Sequence, residues 1–123
     1  MTRSTREVLE SHLAHREEGD LEADLAENYD PDVVLLSWGE GAGRGLDAVR
    51  HRAGLLSSYL GPGAFRYEAL MVEGDFGMLR WSGRSPQVRV RNGVDSFVVR
   101  DGRIVAQTIY YAVQDGRSQS HGG

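Results

Sequence analysis

The 123-residue chain contains no cysteine, and all 14 of its basic residues are arginine, set against 18 acids for a net charge of −4. That excludes disulfides, thiolate catalysis, cysteine-held zinc and lysine Schiff bases. No arginine stripe marks a nucleic-acid surface, and apolar runs such as Val33 to Leu36 are far too short to cross a membrane. The polar stretch Met1 to Glu7 does not read as a signal peptide, so the sequence predicts a soluble cytoplasmic protein. Its length predicts one domain over residues 1–113, with a polar, mobile tail over 114–123.

Ser4 and Glu7 have the spacing of a capping box, and Val8, Leu9, His12, Leu13 and Arg16 follow at helical spacing. Gly19 ends this first helix. Asp20 is placed to cap a second, Leu21 to Asn28, which stops at Asp30-Pro31. Val33 to Trp38 reads as a buried strand. Glycine at every second position from Gly39 to Gly45 fails the dinucleotide spacing and reads as a flexible loop. Asp47 is expected to cap a third helix, with Val49, Ala53, Leu56 and Leu60 as its apolar stripe, before Gly61-Pro62-Gly63. Strands are expected over Phe65 to Glu73, Phe76 to Ser82, Gln87 to Arg100 and Arg103 to Val113. Three helices followed mostly by antiparallel strands predict an α+β fold.

Asp101-Gly102 is a two-residue hairpin signal. Carried along both strands without interruption, it places Asp95, Phe97, Val99, Ile104, Ala106, Thr108 and Tyr110 on one face. Val94, Ser96, Val98, Val105, Ile109 and Tyr111 take the other. Both faces are largely apolar, so helices are expected over one and a second copy of the chain over the other. The predicted homodimer surface is Val94, Val98, Val105 and Ile109. Asp95 is out of place among apolar neighbours in mid-strand: a buried carboxylate must be paired or have its pKa raised.

Two stretches resemble SnoaL-like domains of the nuclear transport factor 2-like superfamily. The first is Gly19-Asp20-Leu21 through Tyr29, Asp32-Val33-Val34, Gly45 and Ala48-Val49. The second is the hairpin Asp95-Ser96-Phe97-Val98-Val99-Arg100-Asp101-Gly102-Arg103-Ile104. The resemblance implies a cone-shaped fold in which three N-terminal helices pack on a strongly curved, mostly antiparallel sheet enclosing a pocket, commonly as a dimer. Its members include polyketide cyclases, ketosteroid isomerase, epoxide hydrolases, dehydratases and non-catalytic binders, so fold does not fix function. Asp95 stands where the cyclases carry their catalytic aspartate, and where the isomerase holds a neutral aspartic acid that donates to an oxyanion. His12 stands where the isomerase has its oxyanion tyrosine. Two expected partners are missing: no acid lies at Leu36 to Trp38, and no histidine lies near Trp81.

The candidate catalytic residues are therefore Asp95 and His12. Trp38, Trp81, Phe97, Thr108, Tyr110 and Leu56 are expected to line a pocket for a small apolar or aromatic ligand. His12 and His15 lack a third metal ligand at recognisable spacing, and no metal or organic cofactor is expected. His51 reads as a solvated residue beside Arg50 and Arg52. The sequence thus predicts either an enzyme that moves a proton on a cyclic or polyketide-like carbonyl compound, or a binding protein with the same pocket and no chemistry. A role in assembly through the sheet face ranks behind both.

Overall fold

Ser4 opens α1 (Thr5–Glu17) with both halves of the capping box: its hydroxyl accepts from the Glu7 N–H at 3.1 Å, and the Ser4 N–H donates to Glu7 Oε1 at 2.8 Å. The computed structural model describes residues 2–61 and 64–115. Asp20 caps α2 (Leu21–Asn28) through the Ala23 N–H. β1 (Tyr29–Ser37) follows at once, starting four residues earlier than the Val33 expected, because Pro31 lies in extended backbone that its fixed φ suits.

The glycine stretch is more than a loop. Gly41–Arg44 forms β2, a short antiparallel edge strand on β1. A side chain at Gly43 would meet Ala48 Cβ at 2.9 Å, so β2 runs close under the next helix. That helix, α3 (Leu46–Leu60), starts at Gly45, and no side chain caps it. Asp47 sits inside its first turn and pairs with Arg50 at 2.6 Å; it is not the cap.

The remaining strands are β3 (Phe65–Glu73), β4 (Phe76–Arg84), β5 (Val88–Arg100) and β6 (Arg103–Asp115). They form one curved, open six-stranded sheet in the order β2-β1-β6-β5-β4-β3, antiparallel except for the β1–β6 pair. β6 continues through Gln114 and Asp115, where the tail was expected to begin; residues 116–123 of that tail lie outside the described residues. No helix is long and apolar enough to cross a membrane among the described residues.

Asp101 and Gly102 both take positive φ, as a tight hairpin of this twist requires. The pairing starts as expected, with Arg100 opposite Arg103 and Val99 opposite Ile104. Val98 then pairs with Ala106, which leaves Val105 as an extra residue on β6. This bulge reverses the alternation beyond it. Phe97 therefore faces Gln107 and Asp95 faces Ile109, where Ala106 and Thr108 were expected. Gln107 and Ile109 turn into the core, whereas Thr108 and Tyr110 turn outward.

The core lies between the helices and the inner sheet face. Val8, Leu9, Leu25, Tyr29, Val33, Leu79, Val90 and Ile104 are all nearly or wholly buried there. Arg3 ties the ends of this layer together, donating to Asn28 Oδ1 at 2.8 Å and to the Glu27 and Gly102 carbonyls.

Candidate functional site

A cavity of about 500 Å³ lies between α1, α3 and the inner sheet face. Its walls include His12 and Arg16 from α1, Arg52 and Leu56 from α3, Tyr67 from β3, Trp81 from β4, Asp95 from β5, and Gln107 and Ile109 from β6.

Asp95 is held by two neutral donors. Trp81 Nε1 donates to Oδ1 and Gln107 Nε2 to Oδ2, each at 3.0 Å. Gln107 is itself oriented, because the Tyr29 hydroxyl donates to Gln107 Oε1 and so turns the amide N–H toward Asp95. Desolvation in this enclosure pushes the Asp95 pKa up to about 6, against the pull of the two hydrogen bonds and of the Arg16 charge. Each oxygen keeps lone-pair capacity for a ligand in the cavity.

His12 belongs to a second polar cluster. Its Nδ1 is 2.7 Å from Asp24 Oδ2, which also accepts from Arg16 Nε at 2.7 Å; Asn28 donates to Asp24 Oδ1 at 2.9 Å. Asp24 is fully buried. Desolvation acts to raise its pKa, but the hydrogen bonds from His12 and Asn28 and the charge of Arg16 bring it below the ordinary carboxylate value. Burial holds His12 below its ordinary value, against the opposing pull of Asp24. The imidazole is therefore neutral near pH 7 with its proton on Nδ1, and Nε2 is left as an acceptor. Nε2 makes no hydrogen bond among the described residues. The ring edges of Tyr29 and Phe97 hold the imidazole in place.

Tyr67 adds a third polar group. Burial pushes its pKa up to about 12, so its hydroxyl keeps its proton. That hydroxyl has no hydrogen-bond partner among the described residues.

Of the sequence-predicted positions, Asp95, His12, Trp81 and Leu56 line this cavity. Phe97 is buried beneath it against His12. Trp38, Thr108 and Tyr110 do not reach it. Trp38 lies in the turn just after β1 and is 82% exposed, beside Tyr110 on the outer face. Thr108 lies on that face because of the Val105 bulge. His12 and His15 turn to different carboxylates, His15 to Glu27 at 2.7 Å, and no cluster of three metal-ligating side chains occurs among the described residues. His51 is exposed, as expected, whereas its neighbour Arg52 is buried and faces the cavity.

Sequence reasoning missed Asp24, Gln107, Tyr67 and Arg52. Asp24 had a signal: Leu21, Asp24, Leu25 and Asn28 fall at i, i+3, i+4 and i+7, which places two polar residues in the apolar stripe of α2.

A curved open sheet with three helices over one face defines a nuclear transport factor 2-like α+β protein. Within that class, the SnoaL-like domain family matches residues 9–107, and the chain belongs to that family. No curated protein matches it. Among solved structures it is similar to an NTF-2-like protein of Burkholderia xenovorans, at 22% identity, covering 95% of this chain and 91% of that one with a TM-score of 0.71. It is also similar to SalBIII, an epoxide hydrolase/cyclase-like enzyme of pyran ring formation in the polyether salinomycin, at 15% identity, 90% and 95% coverage and a TM-score of 0.71. A de novo designed protein with a curved β-sheet has 18% identity, 91% and 88% coverage and a TM-score of 0.73. A designed scaffold at this similarity shows that such likeness carries the fold alone.

Proposed function

We propose that this protein is an enzyme of proton transfer on a cyclic or polyketide-like carbonyl compound bound in the inner cavity. The observation that carries this reading is Asp95, a carboxyl with pKa near 6, held only by neutral donors and open to the same cavity as a neutral His12. A base works best when its pKa lies close to the working pH, and burial has moved Asp95 toward that range.

In the proposed reaction Asp95 takes a proton from the carbon next to the substrate carbonyl. Charge then develops on the carbonyl oxygen. The Tyr67 hydroxyl and the Arg16 guanidinium stabilise it, because donors fixed in a dry cavity need no reorganisation as charge appears. His12 Nε2 accepts a second proton or orients a substrate hydroxyl, and Asp24 stabilises the imidazolium that forms. Asp95 then returns its proton, either to the remote carbon of an enolate conjugated with a C=C bond, which gives isomerisation, or to the alkoxide formed when the enolate attacks a second carbonyl, which gives cyclisation. The ring-forming SalBIII is compatible with such chemistry on this fold.

The test is exchange of α-protons in a cyclic aryl ketone such as α-tetralone, followed by NMR in deuterated water. Wild type should accelerate exchange, and Asp95→Asn should lower it by about 10²- to 10⁴-fold with little change in ketone affinity. Bound ketone that exchanges no faster than in buffer would instead favour a binding protein without chemistry.

A further inference from the structure

Arg52 lies on the inner side of α3, between Val49 and Leu56 in the buried stripe, and is only 9% exposed. Two of its guanidinium nitrogens, Nε and Nη1, are buried and have no hydrogen-bond partner among the described residues. The nearest acid, Glu40, has Oε1 3.7 Å from Nη1, beyond hydrogen-bond reach, and its own side chain is 48% exposed. The contrast with Arg16 is direct: that guanidinium lines the same cavity but binds the buried Asp24 at 2.7 Å.

A buried cation with unmet donors is costly, and folded proteins seldom keep one without a partner. Arg52 stands in the wall of a cavity that also carries the apolar surfaces of Phe65, Trp81, Leu56 and Ile109. A guanidinium presents its N–H groups as a planar fork that fits a carboxylate through two parallel hydrogen bonds. Like charge disfavours a carboxylate beside Asp95, so the fork sets which way such a ligand enters.

We propose that Arg52 anchors the ligand, and that the ligand is a flat ring compound bearing a carboxylate. The carboxylate sits on the guanidinium, and the ring lies against Trp81 and Leu56 with its far side toward Asp95 and His12. This rests on the reading that the cavity takes a ring-containing small molecule, but on no turnover. It assigns Arg52 to binding and orientation, and leaves proton transfer to Asp95.

The experiment compares 2-naphthoate with its uncharged isostere 2-naphthamide by calorimetric titration at pH 7.5, on wild type, Arg52→Met and Arg52→Lys. Wild type should bind the carboxylate at least about tenfold more tightly, the scale of a charge-assisted hydrogen bond. Arg52→Met should lose that preference while holding the amide within about threefold, and Arg52→Lys should keep part of it. Without ligand, Arg52→Met should also raise Tm, since it removes a buried cation whose Nε and Nη1 donors are unmet and whose nearest acid, Glu40, is half-exposed. Equal affinity for the two probes, or failure of wild type to bind either, overturns the proposal. So does a preference that survives Arg52→Met, or a Tm lowered by it, which marks Arg52 as a structural partner of Glu40. Wild type that prefers naphthoate but exchanges no ketone proton leaves Arg52 in place and sinks only the catalytic reading.

Discussion

Trp81 donates to Asp95 at 3.0 Å, and it does so across a residue that has no side chain. Gly93 pairs with Trp81 on the neighbouring strand, and a Cβ there would lie 2.4 Å from Trp81 Cε2. The indole therefore lies flat over the Gly93 backbone. The local backbone is also special: Asn92 takes φ of 55° at a bulge that gives β5 one extra residue against both neighbours. Bulge, glycine and indole together aim one N–H at the carboxyl.

Gly93→Ala should therefore act on the site as well as on stability. The added methyl forces the indole to shift, which costs about 1–3 kcal/mol by the usual scale for overpacking. Trp81→Phe removes the donor while keeping most of the apolar surface. In both variants the Asp95 carboxyl should titrate above its value of about 6, because a hydrogen bond that favours its charged form is weakened. Carbon-13 NMR of the carboxyl would read this directly. An unchanged titration in Trp81→Phe would mean that the indole does not tune the acid.

The raised pKa of Asp95 also sets a pH dependence of stability. An acid whose folded pKa is raised penalises the folded state once the unfolded chain can ionise it. Below about pH 4, the ordinary aspartate value, it has no effect; as pH rises toward 6 the unfolded chain ionises first and stability falls; above 6 the penalty is constant. A carboxyl moved from its ordinary value to about 6 destabilises the fold at neutral pH by roughly 3 kcal/mol at most. Asp95→Asn should consequently stabilise the protein at pH 7 and lose that advantage toward pH 4. Urea denaturation at several pH values checks this, and a variant equally or less stable than wild type at pH 7 would count against an ionised, desolvated carboxyl.

The local signals in the sequence were strong where chemistry is local. The Ser4–Glu7 capping box, the Asp20 cap and the Asp101-Gly102 turn each follow from backbone groups that a side chain a few residues away satisfies. Asp95 was legible for a related reason, as a charge in a strand whose neighbours are apolar. The misassigned half of the site has one cause. The Val105 bulge is a single extra residue with no turn chemistry to announce it, and it moves every later side chain of β6 to the opposite face. It put Gln107 beside Asp95 and took Thr108 and Tyr110 out. Arg52 gave no signal, because a cationic side chain on a helix is usually solvated, and only the tertiary packing shows that its face is covered.

Asp24 should prove as important to His12 as His12 is to the cavity. Asp24→Ala removes the acceptor for His12 Nδ1, Arg16 Nε and an Asn28 amide N–H, and leaves the partly buried Arg16 charge unpaired. Losing one partner of a buried pair costs about 3–5 kcal/mol. Asp24→Asn keeps the volume and should lose less, but His12 is then free to place its proton on Nε2. Nitrogen-15 NMR of the imidazole should show the Nδ1–H tautomer in wild type and a mixture in Asp24→Asn. A wild-type ring protonated on Nε2 would remove the acceptor role proposed for His12.

The outer face of the sheet gives the last prediction. Met71, Phe76, Met78 and Tyr110 are each at least 46% exposed there, and Val94, Val98 and Val105 lie among them half-buried. Ile109, expected on this surface, is instead in the core at 8% exposure. We propose that a second copy of the chain covers this face, since an apolar surface spanning four strands is more than a soluble monomer usually leaves in water. Sedimentation velocity at micromolar concentration should then show a dimer. Val98→Asp should shift it toward monomer, because it places an unpaired charge at the centre of an apolar contact. The substitution points away from the cavity, so the folded monomer should keep its α-proton exchange. A wild type that sediments as a monomer at that concentration would rule the pairing out, and a dimer indifferent to Val98→Asp would move the contact to another surface.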